Sequence, residues 1–490
     1  MELVFIILPL LALPLFWLVN NKKFLHIINI ITSTSILIFG LVVISRVSEN
    51  NIISSELFLS FYIDSLNALV IGIVIILSFL ISIYSVGYLD IEFKNNTFDI
   101  KKIKLFYILF YCFEFTMLLA LTNGNIGIIW VAIEATTLST VFLVGFYNDK
   151  KAIEAAWKYI IICSTGIALA LLGIIFLHLS SVDIVGGTNS ELSWLYLYDN
   201  AGELNELTLR LSFIFILIGF GTKAGLAPMH TWLPDAHSQA PSPISAMLSG
   251  ILLNSAMYGV IRELSIVNKS FGDSVFTGRL MMGLGILSIL TAAVFIIRQK
   301  DYKRMLAYSS IEHMGIIAFS LGMFTPLSIF AALLHMISHS FTKTLLFLSS
   351  GNIYLKYETK KISNVRGLLK TLPFTGTVFL LGLFAITGMP PFSIFYSELN
   401  VLIATFTAGY YVLGTIFILL LALVFVGIAV SAFKMFYGTP GNIKSGEINM
   451  MGVFVIIILL IFITVTGVFL PEFVIDLITD AQQIISGSAK

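Results

Sequence analysis

The sequence predicts an all-α polytopic membrane protein with about fourteen transmembrane helices. Of its 490 residues, 58% are hydrophobic and 11% are charged, whereas a soluble protein is roughly half apolar and about a quarter charged. The mean hydropathy of +0.98 holds for the whole length and excludes a soluble enzyme with one anchor. Helices are expected throughout, because lipid leaves the polar groups of an open strand unpaired and no stretch is rich in strand-forming residues.

Apolar runs follow one another along the chain, and a spanning helix needs about 20 largely apolar residues. Two runs, 208–237 and 373–407, are too long for one straight helix and contain the helix breakers Pro228, Pro390 and Pro391. The apolar N-terminus lacks the basic n-region and the A-x-A cleavage site of a signal peptide, so it is predicted to be the first transmembrane helix. The predicted spans lie near 3–20, 24–45, 64–88, 105–122, 125–147, 157–180, 208–237, 242–262, 278–298, 305–324, 326–350, 373–407, 409–436 and 450–470.

Basic residues are concentrated in the connections that follow odd-numbered helices, such as KKIK at 101–104, RQKDYKR at 298–304 and KYETKK at 356–361. Because cytoplasmic loops carry such an excess of Lys and Arg, both termini are predicted to face away from the cytoplasm. The long polar insertion 181–207 is then predicted to lie outside as well.

The two broken helices, the seventh and the twelfth, occupy corresponding places in two blocks of five helices, 4–8 and 9–13. They cross the membrane in opposite directions under this orientation. Paired interrupted helices of this kind predict two inverted repeats with a transport site at mid-membrane. The chain then divides into helices 1–3 (1–104), a first half-channel repeat (105–262), a second half-channel repeat (278–436), and helix 14 with a polar-edged tail (437–490).

Glu134 in the fifth predicted helix and Lys223 in the seventh are charged residues inside apolar runs. Helical rise places Glu134 roughly 14 Å into its helix and Lys223 roughly 20 Å beyond Arg210, so both lie at similar depth. An ion pair would relieve the burial cost of each group. Burial favours a neutral lysine and a carboxylate favours a charged one, so this lysine can gain or lose a proton when the pair opens. The alternative is a static structural ion pair.

His335, His339 and Lys343 fall at i, i+4 and i+8 in HMISHSFTK, on one face of the eleventh helix. Histidine has an ordinary pKa of about 6.5, which suits a proton relay. Three titratable groups in register also argue against a chance set of satisfied core residues. A metal site is not predicted, because no acidic or cysteine partner is spaced to complete the HxxxH pair.

Glu312 and His313 lie inside the tenth helix, and Glu398 follows the break ITGMPP in the twelfth. A carboxylate at the start of a half-helix and a lysine at the end of one are both stabilised by the helix dipole, which applies to Glu398 and Lys223. The predicted chain of titratable sites is Glu134, Lys223, His335, His339, Lys343 and Glu398.

Three further polar residues are weaker candidates. Asn254 in the eighth helix is uncharged and suits a water chain. Lys158, near the cytoplasmic end of the sixth helix, either joins the proton path or extends its amine to the interface. Glu114 lies deep in the fourth helix and has no evident partner in the sequence.

Redox and nucleotide chemistry are not predicted for this chain, which is expected to hold no cofactor and no metal. It has no GxGxxG after a strand, no P-loop and no cysteine cluster for iron–sulfur binding. Cys112 and Cys163 lie in apolar runs and are interpreted as small core residues. The net charge of +1 gives no sign of nucleic-acid binding. The energy source must therefore be another subunit or an ion gradient.

The chain resembles the antiporter-like proton-channel subunits in four motifs: KAGLAPMHTWLPDAHSQAPSPISAML, DYKRMLAYSS, HMISHSFTKTLLFLSSG and WVAIEATTL. That family includes the large membrane subunits of respiratory complex I, of Mrp-type cation/proton antiporters and of membrane-bound group 4 [NiFe]-hydrogenases. The resemblance covers roughly residues 60–440. The segments WVAIEATTL, EAAWKYIIICSTGIALALLG and SSIEHMGII are most similar to the branch that contains hydrogenase-4 component F.

The resemblance implies a fourteen-helix core with inverted repeats. It also implies that Glu134 and Lys223 are the glutamate–lysine pair of helices 5 and 7, and that Glu398 is the terminal site of helix 12. His335, His339 and Lys343 correspond to the central relay. Where some complex I subunits carry a second lysine in helix 8, this chain has Asn254, so water is expected to take a larger part there.

The function implied is a proton-translocating or sodium-coupled subunit of a redox-driven complex in a prokaryotic cytoplasmic membrane, most similar to the hydrogenase or formate-hydrogenlyase type. Expected partners are lipid, other membrane subunits and a soluble redox arm with NiFe or iron–sulfur subunits, without nucleic acid. One alternative is a subunit of a complex I-like NADH dehydrogenase or an Mrp-type Na⁺/H⁺ antiporter. Another class of alternative is the membrane subunit of an inorganic-carbon uptake system, or a structural docking subunit.

Overall fold

The computed structural model of the chain describes residues 4–50, 52–55, 60–185, 192–441 and 443–487. Nearly all of these residues are helical, as the apolar runs predict. The helices of the first half are α1 (Val4–Leu18), α2 (Lys22–Asn50), α3 (Ser65–Lys94), α4 (Ile100–Leu121), α5 (Ile126–Val144), α6 (Lys150–Val185), α7 (Trp194–Asp199), α8 (Glu206–Ala224), α9 (Leu233–Gln239), α10 (Ser242–Met247) and α11 (Leu253–Phe271). Those of the second half are α12 (Val275–Ile296), α13 (Tyr302–Met323), α14 (Pro326–Tyr357), α15 (Leu368–Thr371), α16 (Pro373–Ile386), α17 (Ser393–Thr407), α18 (Tyr411–Phe436), α19 (Met450–Val468) and α20 (Glu472–Ser486).

Eleven helical segments of the described chain are long and apolar enough to cross a membrane, and α1 and α16 are shorter apolar helices. The prediction of an all-α polytopic membrane protein is therefore confirmed. The count of fourteen crossings, the inverted repeat and the four-part division stay predictions.

The first broken helix lies between α8 and α9. It ends at Ala224, after which Gly225 adopts a left-handed conformation (φ 79°) that L side chains avoid. The Ala227–Pro228 peptide is cis, and a short 3₁₀ turn at Met229–Trp232 precedes α9. Helical geometry is therefore absent from residues directly after Lys223, where the sequence predicts the break.

The second broken helix lies between α16 and α17. Gly388 has φ 66° in the connection, and the Pro390–Pro391 peptide is cis. The eighth predicted helix, formed by α10 and α11, is instead continuous through a wide π-helical turn at Leu248–Leu252. The two interruptions therefore occur at the two overlong apolar runs.

Small residues let α6 and α8 approach closely. A Cβ added at Gly219 of α8 would lie 2.5 Å from the Ala170 Cβ of α6, so a larger side chain cannot be accommodated there without a shift. On the other side of α6, the Trp130 indole donates a 2.7 Å hydrogen bond to the Ile167 carbonyl and attaches α5. These contacts hold the lysine-bearing end of α8 beside α5 and α6.

The connections after odd-numbered predicted helices meet at one end of the molecule. Lys104 donates to the Trp17 carbonyl, Asp301 forms a backbone bridge with Lys361, and Lys356 donates to the Gly446 carbonyl. These links join the connections whose excess of Lys and Arg predicts the orientation of the chain.

The opposite end gathers the connections after even-numbered predicted helices. A two-stranded antiparallel hairpin, β1 (Ile53–Ser55) and β2 (Phe61–Ile63), lies there, and the Tyr62 amide donates to the Thr122 carbonyl. Asn125 pairs with Ser193 across a second bridge. The helices thus alternate in direction between two defined ends.

The polar-edged tail expected at 471–490 is largely the helix α20. It packs on α3, α11 and α14, and its buried residues are Leu477, Ile478, Ala481 and Ile485. These positions recur at helical spacing and form an apolar face that scanning for 20-residue apolar runs does not detect.

Candidate functional site

Glu134 and Lys223 are joined through the Thr137 hydroxyl. Lys223 donates a 2.7 Å hydrogen bond to Thr137 Oγ1, and that hydroxyl donates to Glu134 Oε2 at 3.1 Å. Ser164 of α6 donates to the other carboxylate oxygen at 2.7 Å. The predicted direct ion pair is therefore a hydroxyl-bridged pair, because Thr137 lies one helical turn beyond Glu134 and faces α8.

A tyrosine completes the surroundings of the lysine. Lys223 also donates to the Tyr159 hydroxyl at 2.7 Å, and this hydroxyl lies 2.6 Å from Thr140 Oγ1. The lysine is in the last turn of α8, where the helix dipole favours a cation, as predicted. Its fully buried ammonium thus has three sources of stabilisation without a direct carboxylate contact.

His237 of α9 is a buried residue that sequence reasoning missed. Its ring lies 6.5 Å from the Trp232 ring and 5.1 Å from the Phe347 ring of α14, centroid to centroid. Trp232 in turn lies 5.0 Å from the Tyr159 ring. Neither imidazole nitrogen of His237 has a hydrogen-bond partner among the described residues. A buried imidazole with two free nitrogens therefore lies between the lysine of α8 and the relay residues of α14.

The relay residues of α14 are all buried, and they face α13 and α17. Lys343 donates to the Leu306 carbonyl at 2.9 Å and also to the Ser309 hydroxyl. His335 lies 2.9 Å from both Ser397 Oγ and His313 Nδ1. These contacts confirm that the i, i+4 and i+8 positions share one face.

His313 of α13 is in the middle of this group. Its ring stacks on that of His335 at 5.0 Å and lies 5.4 Å from that of His339, whose nitrogens have no partner among the described residues. Its Nε2 lies 3.1 Å from the Ile386 carbonyl at the end of α16. The imidazole group of α13 thus links the α14 relay to the second helix break.

Glu398 is buried beside the second break. It is the sixth residue of α17, near the start of that helix as predicted but beyond the first turn, where the helix dipole acts most strongly. Its carboxylate instead lies directly against Gly388, where a Cβ would collide with Oε2. The absence of a side chain at Gly388 is what leaves room for this carboxylate.

Donor atoms of His313, His335 and Glu398 all lie within 4.8 Å of one another, which is close enough to hold a metal ion. The sequence argument against a metal assumed that no acidic partner reaches the HxxxH pair, and that assumption is wrong. The same proximity also suits direct proton exchange between the two imidazoles and the carboxylate.

Asn254 and Glu312 flank the relay. Asn254 donates to Ser340 Oγ at 2.6 Å and to the Met336 carbonyl at 3.1 Å, which ties α11 to α14. Its own Oδ1, like Glu312 Oε2, is buried and has no partner among the described residues. Both groups therefore have hydrogen-bonding capacity available along the relay.

Lys158, predicted for the proton pathway, lies at the surface. Its side chain is 46% exposed and forms ion pairs with Glu154 at 2.6 Å and Asp235 at 3.2 Å. It borders a polar pocket of about 440 Å³ that Asp301 and Arg304 also line. Of the two interpretations, the interfacial lysine fits this position.

We call the buried titratable groups between the two helix breaks the central row. They are Lys223, His237, Lys343, His339, His313, His335 and Glu398, which are buried, together with the half-buried Glu134 that is bridged to Lys223.

The comparisons agree with the motifs found in the sequence. Residues 123–425 match the family described as NADH:quinone oxidoreductase/Mrp antiporter, TM. Residues 51–98 match the family described as NADH-Ubiquinone oxidoreductase (complex I), chain 5 N-terminus. The predicted resemblance is therefore confirmed.

Curated relatives match about seven tenths of the chain. A hydrogenase-4 component F homolog from Methylacidiphilum infernorum (isolate V4) is 40% identical over 346 residues, which are 71% of this chain and 72% of that protein. NADH-quinone oxidoreductase subunit M from Rickettsia prowazekii (strain Madrid E) is 30% identical over 365 residues, which are 72% of this chain and 70% of that protein.

A solved structure extends the likeness to almost the full length. A chain of the membrane-bound sulfane sulfur reductase (MBS), an archaeal respiratory membrane complex, superposes with a TM-score of 0.87 at 25% identity. The match covers 99% of this chain and 97% of that one. The chain therefore belongs to the NADH:quinone oxidoreductase/Mrp antiporter family of membrane subunits.

Proposed function

We propose that this chain is the proton-translocating, antiporter-like subunit of a redox-driven membrane complex of the group 4 [NiFe]-hydrogenase or formate-hydrogenlyase type. The central row is the observation that carries the proposal. A charged or titratable group buried in a membrane is costly, so seven such groups, gathered near two helix breaks and joined to Glu134, point to a function.

Proton transfer begins at the bridged pair. When Lys223 moves away from the Thr137 hydroxyl, it loses the neighbouring carboxylate that favours its charged form and releases a proton. His237, with two unpartnered nitrogens, receives the proton and passes it toward Lys343 and His339. The imidazoles of α13 and α14 then deliver it to Glu398. Each step moves one proton and leaves the donor ready for reloading.

The break after Lys223 allows this movement. Residues 225–232 lack regular helical hydrogen bonding, so the end of α8 can shift without unfolding a whole span. The second helix break, beside Glu398, allows the proton to leave the central row because the chain there can also shift without unfolding a whole span.

The hydrogenase assignment rests on the 40% identical relative and on the local motifs of α5, α6 and α13. Cofactors in such complexes belong to other subunits, so the partners of this chain are further membrane subunits and a soluble arm with NiFe or iron–sulfur subunits. The chain lies in a prokaryotic cytoplasmic membrane with the basic connections on the cytoplasmic side. Both termini then face away from the cytoplasm.

The test uses the whole complex in sealed vesicles. Lys223→Ala should abolish most proton pumping while dye reduction by the soluble redox arm continues. Lys434→Ala, which removes an exposed lysine of α18, is the matched control and should pump normally. Unchanged pumping by Lys223→Ala at normal assembly would overturn the proposal.

An Mrp-type Na⁺/H⁺ antiporter is the second candidate, because the matching family includes that class. It needs no redox partner. Expression in an antiporter-deficient host separates the two: salt tolerance conferred by this chain favours the antiporter, and continued salt sensitivity favours the redox complex.

A further inference from the structure

Three N-terminal helices carry a second set of polar side chains, partly exposed at one end and buried inward of it, that the central row does not include. On α2 they recur at i, i+4, i+7 and i+11, on α4 at i, i+4 and i+7, and on α3 at similar helical spacing, so each helix presents one polar face. We call this set the N-terminal file. Its members are Lys22, His26, Asn29 and Ser33 of α2, Ser78, Ser82 and Asp90 of α3, and Tyr107, Tyr111 and Glu114 of α4.

The file begins at the end of the molecule that carries the basic connections. Asp90 is 35% exposed and forms an ion pair with Lys22 at 2.5 Å. The His26 ring connects this pair to the interior: Nε2 lies 3.2 Å from Asp90 Oδ1, and Nδ1 lies 2.7 Å from the Tyr107 hydroxyl. A water-accessible carboxylate is thus hydrogen-bonded through an imidazole to a buried phenol.

The middle of the file consists of hydroxyl groups held by one amide. Tyr111 donates to the Asn29 carbonyl at 2.7 Å and to its side-chain oxygen at 3.0 Å. Asn29 donates to the Ser82 carbonyl at 3.1 Å, and the Ser82 and Ser33 hydroxyls are 2.8 Å apart. Asn29 therefore fixes the Tyr111 hydroxyl and, through the Ser82 backbone, the part of α3 that carries the Ser82 hydroxyl.

Glu114 is the inner end of the file. It lies about 21 Å along α4 from Ile100 by helical rise, it is fully buried, and Ser78 donates to its Oε1. Its Oε2 has no partner among the described residues. A buried carboxyl with one unpaired oxygen is destabilising, and helix packing alone would be served as well by an apolar residue.

Two steps of the file span one helical turn each, from Tyr107 to Tyr111 and from Ser82 to Ser78. Four residues of helix correspond to a rise of about 6 Å, which a side-chain rotation or one water molecule bridges. The step from the Tyr111 hydroxyl to the serine hydroxyls passes alongside Asn29, which bonds both Tyr111 and the Ser82 carbonyl. The other contacts are direct hydrogen bonds between neighbouring helices.

We propose that α2, α3 and α4 form a second proton-transfer route, separate from the central row, which loads Glu114 from the exposed Asp90. A proton taken up by Asp90 passes through His26 and Tyr107 to Tyr111, then through the serine hydroxyls to the Glu114 carboxyl. Asp90 and each relay group give up one proton for each one gained, so only Glu114 changes its net protonation, and the proton comes from water.

Infrared spectroscopy of the purified full-length chain tests this route without requiring the pump to work. The carboxylic-acid C=O band of Glu114 is assigned as the band lost in Glu114→Gln. On transfer to D₂O this band should shift as the carboxyl exchanges its proton. Tyr107→Phe removes only the relay hydroxyl and should slow that exchange by at least about tenfold.

Two further variants make the result decisive. Tyr111→Phe interrupts the route at a second hydroxyl and should slow the exchange to a similar degree. Tyr88→Phe removes an equally buried hydroxyl of α3 that bonds Tyr147 instead, and should leave the exchange rate unchanged.

The proposal fails if no band disappears in Glu114→Gln, because Glu114 then holds no proton. It also fails if the tyrosine variants exchange at the wild-type rate, or if Tyr88→Phe slows exchange equally. Since this readout does not involve Lys223, failure here leaves the function proposed for the central row standing.

Discussion

Lys223 reaches Glu134 through a single hydroxyl group: its Nζ lies 2.7 Å from Thr137 Oγ1, which lies 3.1 Å from Glu134 Oε2. A direct ion pair would hold the lysine permanently charged. A bridging hydroxyl weakens the attraction between the two charges, and the hydroxyl can rotate. The hydroxyl is therefore the place where the pair opens.

Thr137→Val removes this hydroxyl and keeps the shape of the side chain. A hydrogen bond to a charged group contributes about 1.5–3 kcal/mol, so we expect proton pumping per redox turnover to fall at least about fivefold. Thr137→Ser should restore most of it. Thr136→Val is the matched control, since the Thr136 hydroxyl bonds only the Ile133 carbonyl in its own helix. Wild-type pumping by Thr137→Val would show that the bridge is dispensable.

His237→Phe tests the connection between the two halves of the central row. Phenylalanine can keep the stacking on Phe347 but cannot carry a proton, so the complex should assemble while pumping falls at least about fivefold. His230→Phe alters another histidine near the same break, one that is 8% exposed. It should pump normally. Equal loss in both variants would point to a general effect on the break instead of a relay at His237.

Gly388→Ala tests the space that Glu398 occupies. Alanine in a left-handed conformation costs roughly 1–2 kcal/mol at any site, and at Gly388 the new methyl group must also displace the carboxylate. Gly272→Ala isolates the first effect, because Gly272 has a similar φ of 67° and nothing within 4 Å of a new Cβ. Thermal unfolding in detergent should show a larger loss for Gly388→Ala, and only that variant should pump less. The same stability and pumping in both variants would refute the contact with Glu398.

Asn254→Leu tests the link between α11 and α14. It removes the hydrogen bonds that Asn254 donates to the Ser340 hydroxyl and the Met336 carbonyl, each contributing about 0.5–1.5 kcal/mol. We expect a lower unfolding temperature and a smaller loss of pumping than in Lys223→Ala. Asn400→Leu, on the exposed face of α17, is the control and should change neither quantity. An unchanged unfolding temperature in Asn254→Leu would contradict the structural link.

Much of the fold follows from hydropathy and from helix breakers. The overlong runs at 208–237 and 373–407 contain proline, and the chain is interrupted in both. Pro234 shows the limit of this reasoning: it lies in the first turn of α9, where proline is tolerated, so it starts a helix. The helix α20 was missed because its apolar face is amphipathic and shorter than a membrane span.

The charged residues of the candidate site could be predicted from the sequence, whereas its hydroxyl-bearing residues could not. Glu134, Lys223 and the α14 residues stand out because charge is rare in apolar helices, whereas Thr137 and Tyr159 are ordinary in such sequences. The i, i+3 spacing from Glu134 to Thr137 was the available signal. One sequence does not determine how helices rotate and pack. It therefore does not show which side of α6 bears Lys158 or which groups surround His237.

The contact of Gly219 with Ala170 has a mechanical consequence. With no side chain between them, the backbones of α6 and α8 leave no slack for α8 to slide sideways or to turn about its axis. Any displacement of the lysine-bearing end must then be absorbed by the unwound residues 225–232. Gly219 therefore holds α8 against α6 as far as its last turn, so only that last turn, with Lys223, moves when the torsions of residues 225–232 change.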